Sequence, residues 1–441
     1  FALPGFNALW ADRDVVLIEQ RGTKYATPFI QCANMLSVKL EILAQNLHEE
    51  EEDALRLHAW ELCRDEFLAD GVDLAAYNSL ENAADVVAVA DALGYEQVNL
   101  LGGSYGSLLA QHVMRDYPDR VRAAVLSDVS PLEHAPNMLY KAHSMDHSLR
   151  SLFQQCAADE ACSQAYPDLE NVYWSLVAGL DQTPVTLQID DPNTGSIYDL
   201  VLTGDRLIAL TRNLLYITAL LPDLPGAIYD MAGGNFELVE LIEARFLFSL
   251  DLADGMYTSV VCAELADFSA SDLAETKSLY PPVVRVVEDI LDEVMLQPCP
   301  VWGVEHLGDK LDQSLVADIP TLMLSGEYDP TVPPRLAQIA AKGLDSADLY
   351  TFPGMSHGVF SGSECARAMA VDFVADPSQK PDTACLEAMP GLTFRIPETG
   401  LTLEAFVDEE RGFRDLVPAG WQSLAPANMV RGHSATDPTY Y

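Results

Sequence analysis

Three side chains have the types, order and spacing of an acyl-transfer site: Ser104, Asp329 and His357. A serine hydroxyl is a poor nucleophile near neutral pH. It needs a base to take its proton and a third group to orient that base. Ser104 stands in Gly102-Gly103-Ser104-Tyr105-Gly106, a G-x-S-x-G pattern. The apolar run before it reads as a buried strand, and residues 107–114 have helical spacing. At a strand-to-helix junction this pattern forms a tight turn that lifts the hydroxyl above the sheet edge. Flanking glycines are expected because side chains there would collide with the adjoining strand and helix. The bland alternative is a Gly-rich turn holding an ordinary serine.

The partners follow in the order Ser, acid, His. A β-rich run at 320–326 ends in Glu327-Tyr328-Asp329-Pro330, and the next, at 348–352, ends in Pro353-Gly354-Met355-Ser356-His357-Gly358. Asp329 and His357 therefore stand at neighbouring strand ends. No other histidine lies just past an expected strand after the serine. Asp128, also at a strand end, and the adjacent Glu327 are rivals for the acid. Asp329 is preferred because its Asp-Pro turn follows the strand directly before that of His357. The backbone N–H of Tyr105 is one donor for a developing oxyanion. The second usually comes from a Gly-rich loop after an earlier strand. No such loop precedes residue 14.

These positions imply a doubly wound, mostly parallel α/β sheet. Residues 14–19 read as a strand, 80–94 as a helix, and 121–126 as the strand after the serine helix. The rhythm stops at residue 133. Residues 133–315 are mainly helical in pattern, with one polar, β-like stretch at 185–201. That length is read as an inserted cap. The expected layout is a first core part at 1–132, a cap at 133–315 and a second core part at 316–385. Residues 386–441 form a C-terminal extension packed on the core.

The 441 residues are 49% hydrophobic, enough for a full core. The net charge of −42 argues against nucleic acid and anionic membrane as partners. Seven of the 25 basic residues are Lys, so the surface is acidic and Lys-poor. Glu49 to Asp53 reads as a solvated helix start. No run of about 18 apolar residues is present. The chain opens without Met or a basic leader region, which points to a processed or truncated start. The eight cysteines fall into local couples: Cys32 with Cys63, Cys156 with Cys162, Cys262 with Cys299, and Cys365 with Cys385. None has C-x-x-C spacing. Disulfides and an extracytoplasmic location, secreted or periplasmic, are expected. No metal or other cofactor is implied.

The chain resembles the tripeptidyl/prolyl aminopeptidase-like (TAP-like) branch of the α/β-hydrolases. The marks are Glu19-Gln20-Arg21-Gly22-Thr23, the Ser104 turn, Met114-Arg115-Asp116-Tyr117-Pro118, Gly326-Glu327-Tyr328-Asp329-Pro330 and Gly354-Met355-Ser356-His357-Gly358. The stretch from Cys365 to Cys385 resembles the C-terminal segment of secreted members. By position, the resemblance makes Ser104 the nucleophile, Asp329 the orienting acid and His357 the base. It implies an acyl-enzyme route on peptide N-termini, with Glu264 as a candidate for the substrate amine. Two departures stand out. Glu19, Lys24 and Ala26 replace the family's Asp, Gly and Ser. The family's oxyanion loop and the central strand before it are expected upstream of residue 1, or as a separate piece. The alternatives are a carboxylesterase of small acyl esters and a silent binding protein on the same scaffold.

Overall fold

The computed structural model describes residues 13–132, 134–249, 252–264, 283, 298–308, 311, 313–396, 403–408 and 413–418. Two units separate by contact: Phe1–Phe394 and Arg395–Tyr441.

In the first unit, helix α1 (Ser79–Leu93) starts where the Asn78 side chain accepts the Glu81 N–H, and ends at left-handed Gly94. Strand β1 (Val98–Gly103) feeds through Ser104 into helix α2 (Tyr105–Asp116), and strand β2 (Val121–Ser127) follows. The chain then leaves the sheet. Its excursion contains the antiparallel hairpin β3 (Val185–Asp190) and β4 (Ile197–Leu202), helix α3 (Gly204–Tyr216) and helix α4 (Asp254–Glu264). The hairpin is the β-like stretch expected inside the cap. The sheet resumes with β5 (Thr321–Gly326), helix α5 (Pro334–Ala340), β6 (Ala347–Phe352) and helix α6 (Glu364–Ala375). The strand order is β1-β2-β5-β6, and each neighbouring pair is parallel.

Successive side chains of a strand face opposite sides, and here both sides are covered. Ala124, Leu126 and Met323 pack with Leu108, Val113 and Met114 of α2 and Ala337 and Ala340 of α5. Ala123, Val125, Leu322 and Leu324 pack with Met369, Ala370, Phe373 and Val374 of α6. A third cluster joins residues 30–77 to α4 through Ile30, Trp60, Tyr77, Met256, Val260 and Trp302. It contains the Cys32–Cys63 and Cys262–Cys299 disulfides. Cys156–Cys162 and Cys365–Cys385 complete the set, so all eight cysteines pair as their spacing implies.

Arg206, in the first turn of α3, closes the backbone carbonyls of Ile42, Leu43, Gln45 and Val201 and meets Glu52. One guanidinium thus ties the cap to the segment before α1. Among the described residues no single helix is long and apolar enough to cross a membrane. The pair Gly204–Tyr216 and Thr218–Ala232 passes on length and composition together, but it is bent by 116°.

One expected strand is absent. Residues 14–20 pair with no strand, and Val15, Val16, Leu17 and Ile18 are 46%, 43%, 74% and 37% exposed. A β-rich sequence becomes a strand only beside a hydrogen-bonding neighbour, and among the described residues none lies there. β1 is accordingly an edge of the described sheet, with Leu101 42% exposed. Residues 386–394 fall in the first unit, where Leu386 and Met389 lie against the α6 cluster. The second unit shows an antiparallel hairpin, β7 (Leu403–Asp408) and β8 (Phe413–Pro418). The remainder of the expected extension, and cap residues 265–282 and 284–297, lie outside the described residues.

The glycines around Ser104 are not equivalent. A Cβ on Gly102 would stand 2.2 Å from the Gly106 carbonyl oxygen, whereas a Cβ on Gly106 would meet nothing within 4 Å. The expected collision therefore holds for Gly102 and fails for Gly106. Gly102→Ala should lower stability by about 3 kcal/mol or more, since backbone must shift to admit it. Gly106→Ala, inside a helix, should be neutral or gain up to about 1 kcal/mol. Thermal unfolding of the two variants checks both.

Candidate active site

Ser104 sits between β1 and α2 at φ 55°, ψ −124°, a conformation L-residues rarely hold. Its N–H donates to the Ser127 carbonyl on β2 at 2.9 Å. Its own carbonyl accepts from the Ser107 N–H at 2.8 Å and the Ser107 hydroxyl at 2.6 Å. These bonds lock the turn and point the side chain away from the sheet.

Asp329 and His357 follow β5 and β6. Asp329 is fully buried, and its Oδ2 lies 2.7 Å from His357 Nδ1. Its Oδ1 accepts the N–H groups of Thr331 and Val332 at 2.7 and 2.9 Å. With both oxygens engaged, the carboxylate can hold only one orientation. The rival acids have other partners. Glu327 accepts the Gly354 N–H at 2.9 Å, bracing the turn that carries His357. Asp128 accepts from the Ser127 hydroxyl at 2.6 Å. Burial works against a charged His357 ring, but the Asp329 hydrogen bond with the charges of Asp329 and Asp128 outweighs it. The imidazole pKa is raised above its ordinary 6.5.

The cap supplies a residue that sequence reasoning missed. The Tyr216 ring, at the end of α3, stacks on His357 with centroids 4.2 Å apart and planes at 23°. Its hydroxyl interacts with the Ser104 side chain, and burial followed by the nearby Asp329 charge pushes the phenol up to about 12. Tyr216 thus packs on the imidazole with its hydroxyl beside Ser104. No motif marks Tyr216, because its place depends on how the cap lands. One turn earlier on α3, Arg212 donates to the Thr331 hydroxyl at 3.2 Å, beside the Asp329 loop.

Tyr105 opens α2, where backbone N–H groups lack intrahelical acceptors. Its side chain points elsewhere: the hydroxyl lies 2.9 Å from the Ser79 hydroxyl and accepts from Asn82 Nδ2 at 3.2 Å. Glu264 lies on the far side of Ser79. It is fully buried, and its two oxygens accept the Ser79 N–H and, at 2.8 Å, the Ser79 hydroxyl. It offers no exposed oxygen to a substrate amine. Its placement is that of a brace running from α4 through Ser79 to Tyr105. The Glu19 loop is closed by its own residues: Glu19 accepts from the Thr23 hydroxyl and the Tyr25 N–H. Arg21 forks onto Asp85 with two 2.7 Å bonds. A separate hollow of about 370 Å³, lined by Gln97, Arg115, Arg122 and Ile319, sits at the opposite, N-terminal ends of the strands.

A model of the alpha/beta hydrolase fold matches residues 4–169, and a model of TAP-like protein matches residues 285–385. The chain has the α/β-hydrolase fold, and its residues 285–385 are similar to the TAP-like family. It is 24% identical over 344 residues to "Serine protease Hip1" of Mycobacterium tuberculosis, covering 70% of this chain and 62% of that protein. It is 23% identical over 320 residues to "Putative hydrolase YuaR" of Escherichia coli, with the same coverage. The chain thus spans 62% of the length of these curated relatives. Among solved structures it is similar to MGS-M2, an alpha/beta hydrolase enzyme from a deep-sea metagenome library. That match has TM-score 0.30 and 15% identity, over 70% of this chain and 74% of that one. Epoxide Hydrolase A from Mycobacterium thermoresistibile aligns with TM-score 0.28 and 17% identity, over 69% and 77%. The fold and the relatives together support a serine hydrolase, and the four disulfides suggest an extracytoplasmic protein.

Burial moves the Glu264 pKa from 4.5 up to about 7, against the two Ser79 hydrogen bonds. The folded protein then holds the extra proton between those values. Stability from this group is complete below pH 4.5 and is lost as pH rises through about 7. The full change is about 3 kcal/mol. Glu264→Gln keeps a partner for both Ser79 groups and does not ionise. Its unfolding midpoint should gain on wild type as pH rises from 4.5 to about 7. A constant difference across that window would contradict this reading of Glu264.

Proposed function

We propose that this chain is a secreted or periplasmic serine hydrolase that works through an acyl-enzyme, with peptides carrying a free N-terminus as substrates. The observation that carries the reading is the 2.7 Å Asp329–His357 hydrogen bond, with the strained Ser104 turn at the same end of the sheet, after β1. In this reading Ser104 Oγ attacks the carbonyl while His357 Nε2 takes its proton. Asp329 holds the Nδ1–H and balances the imidazolium. The Tyr105 N–H receives the developing oxyanion. His357 then protonates the leaving amine, and water, activated by the same ring, releases the acyl group. The peptide preference is supported by the relative named a serine protease and by the TAP-like match. That preference does not draw on Glu264, which is enclosed.

A fluorophosphonate probe should label Ser104 in wild type and leave Ser104→Ala unlabelled. A wild-type protein that stays unlabelled would make this a binding scaffold. The same substitution should lower kcat/KM by more than about 1,000-fold. Parallel assays on aminoacyl anilides, N-blocked anilides and short acyl esters read the substrate class. Free-amine anilides should be preferred, and faster ester turnover would reassign the enzyme to carboxylesters. Because the base must be neutral, kcat/KM should fall on the acid side with a midpoint above 6.5. A midpoint below 6.5 would count against His357 as the base in the environment described.

A further inference from the structure

Asp128 directly follows β2, and the reaction above makes no use of it. Its backbone φ is +52°, shared among the described non-glycine residues only with Ser104 and Asp168. An Asp held there costs on the order of 1 kcal/mol, which the surrounding structure must supply. The residue is 2% exposed. Its Oδ2 accepts from the Ser127 hydroxyl at 2.6 Å and from the Val359 N–H at 3.2 Å. Val359 stands two residues past His357, beyond Gly358 at φ 84°. Asp128 therefore grips the turn that carries the imidazole. It also faces the ring itself: an oxygen of Asp128, an oxygen of Asp329 and a ring nitrogen of His357 all lie within 4.8 Å of one another.

One imidazole thus has two buried carboxylates beside it, brought by two different strands. Asp329 is already saturated by Nδ1, Thr331 and Val332. We propose that Asp128 is a second positioning carboxylate for His357, fixing its turn from the β2 side and sharing with Asp329 the balancing of the imidazolium. This rests on His357 acting as the base. The charged groups around Asp128 are His357 and Asp329, from the loops after β6 and β5. From α3 of the cap come the Tyr216 phenol, which feels the Asp128 charge, and Arg212, which acts on the same imidazole. Burial pushes the Asp128 carboxyl up to about 6, against the opposing pull of His357.

The test compares Asp128→Asn, Asp128→Gly, Asp329→Asn and the double variant Asp128→Asn/Asp329→Asn with wild type. The readouts are fluorophosphonate labelling rate, kcat and KM on the preferred substrate, and the pH profile. Asp128→Gly accepts the positive φ without strain, so it removes the carboxylate while sparing the backbone. Both single Asp128 variants should lower kcat about 10-fold with KM within about two-fold. Both should shift the acid limb to lower pH, since a negative charge that favoured the imidazolium is gone. Asp329→Asn should lose about 100-fold, rather than the about 10,000-fold seen where one acid serves alone. The double variant should lose at least a further 10-fold. Wild-type kcat and an unmoved acid limb in both Asp128 variants would overturn the proposal. So would a double variant equal to Asp329→Asn. In either case a labelled wild-type Ser104 leaves the parent reading standing. Absence of labelling in wild type would remove both.

Discussion

The backbone of one residue organises this molecule. Ser104 is held at φ 55°, ψ −124°, a conformation that costs of order 1–3 kcal/mol and survives only where its surroundings over-determine it. The surroundings here are concrete. β1 is registered against β2 through Gly103 and Ser127, so the Ser104 N–H arrives at the Ser127 carbonyl. α2 must start at once, and it is driven onto the sheet by Leu108, Leu109, Val113 and Met114. Gly102 must carry no side chain, because the Gly106 carbonyl occupies that space. Helical layers on both faces of the sheet keep these conditions in force together.

The imidazole is placed by a different device, a set of cross-braces between loops. Glu327 after β5 holds the Gly354 N–H after β6. The Ser356 hydroxyl donates to the Leu215 carbonyl of α3 at 2.5 Å and to the Tyr328 carbonyl at 3.2 Å. The Thr218 hydroxyl accepts the Ser356 N–H at 3.0 Å. Two sheet loops and the end of one cap helix therefore meet on the residues flanking His357. The strands fix where Ser104, Asp329 and His357 can be, and these short bonds fix which way the His357 turn faces.

Much of this was legible in the sequence because parallel β–α units have strong punctuation. The helical pattern of 80–94 marks α1, apolar runs mark β1, β2 and β5, and Asp329 and His357 stand just past strand ends. The local cysteine couples were legible for a similar reason, since short loops bring their ends together. What escaped was non-local. Residues 14–20 have strand-forming side chains but no described neighbour to pair with. Tyr216 looks like any aromatic at the end of an amphipathic helix. Glu264 is a candidate for the substrate amine in the sequence, with a surface or structural role as the alternative, and it lies enclosed against Ser79. The left-handed backbone of Asp128 depends on the register of β2 with β5, which no single segment encodes.

Helix α3 carries Arg206 in its first turn and Tyr216 as its last residue. Four backbone carbonyls and a carboxylate hold the first, and the His357 imidazole stacks on the second. Ten residues separate them, about 15 Å of helix. In mechanical terms α3 is a strut pinned at both ends, by Arg206 at its start and by the Leu215–Ser356 bond and the Tyr216–His357 stack at its end. A lysine would be a loose pin in that position, because it cannot fork onto several carbonyls at fixed angles. The far anchor of the helix that packs on His357 is thus one of the few basic residues of a strongly acidic chain.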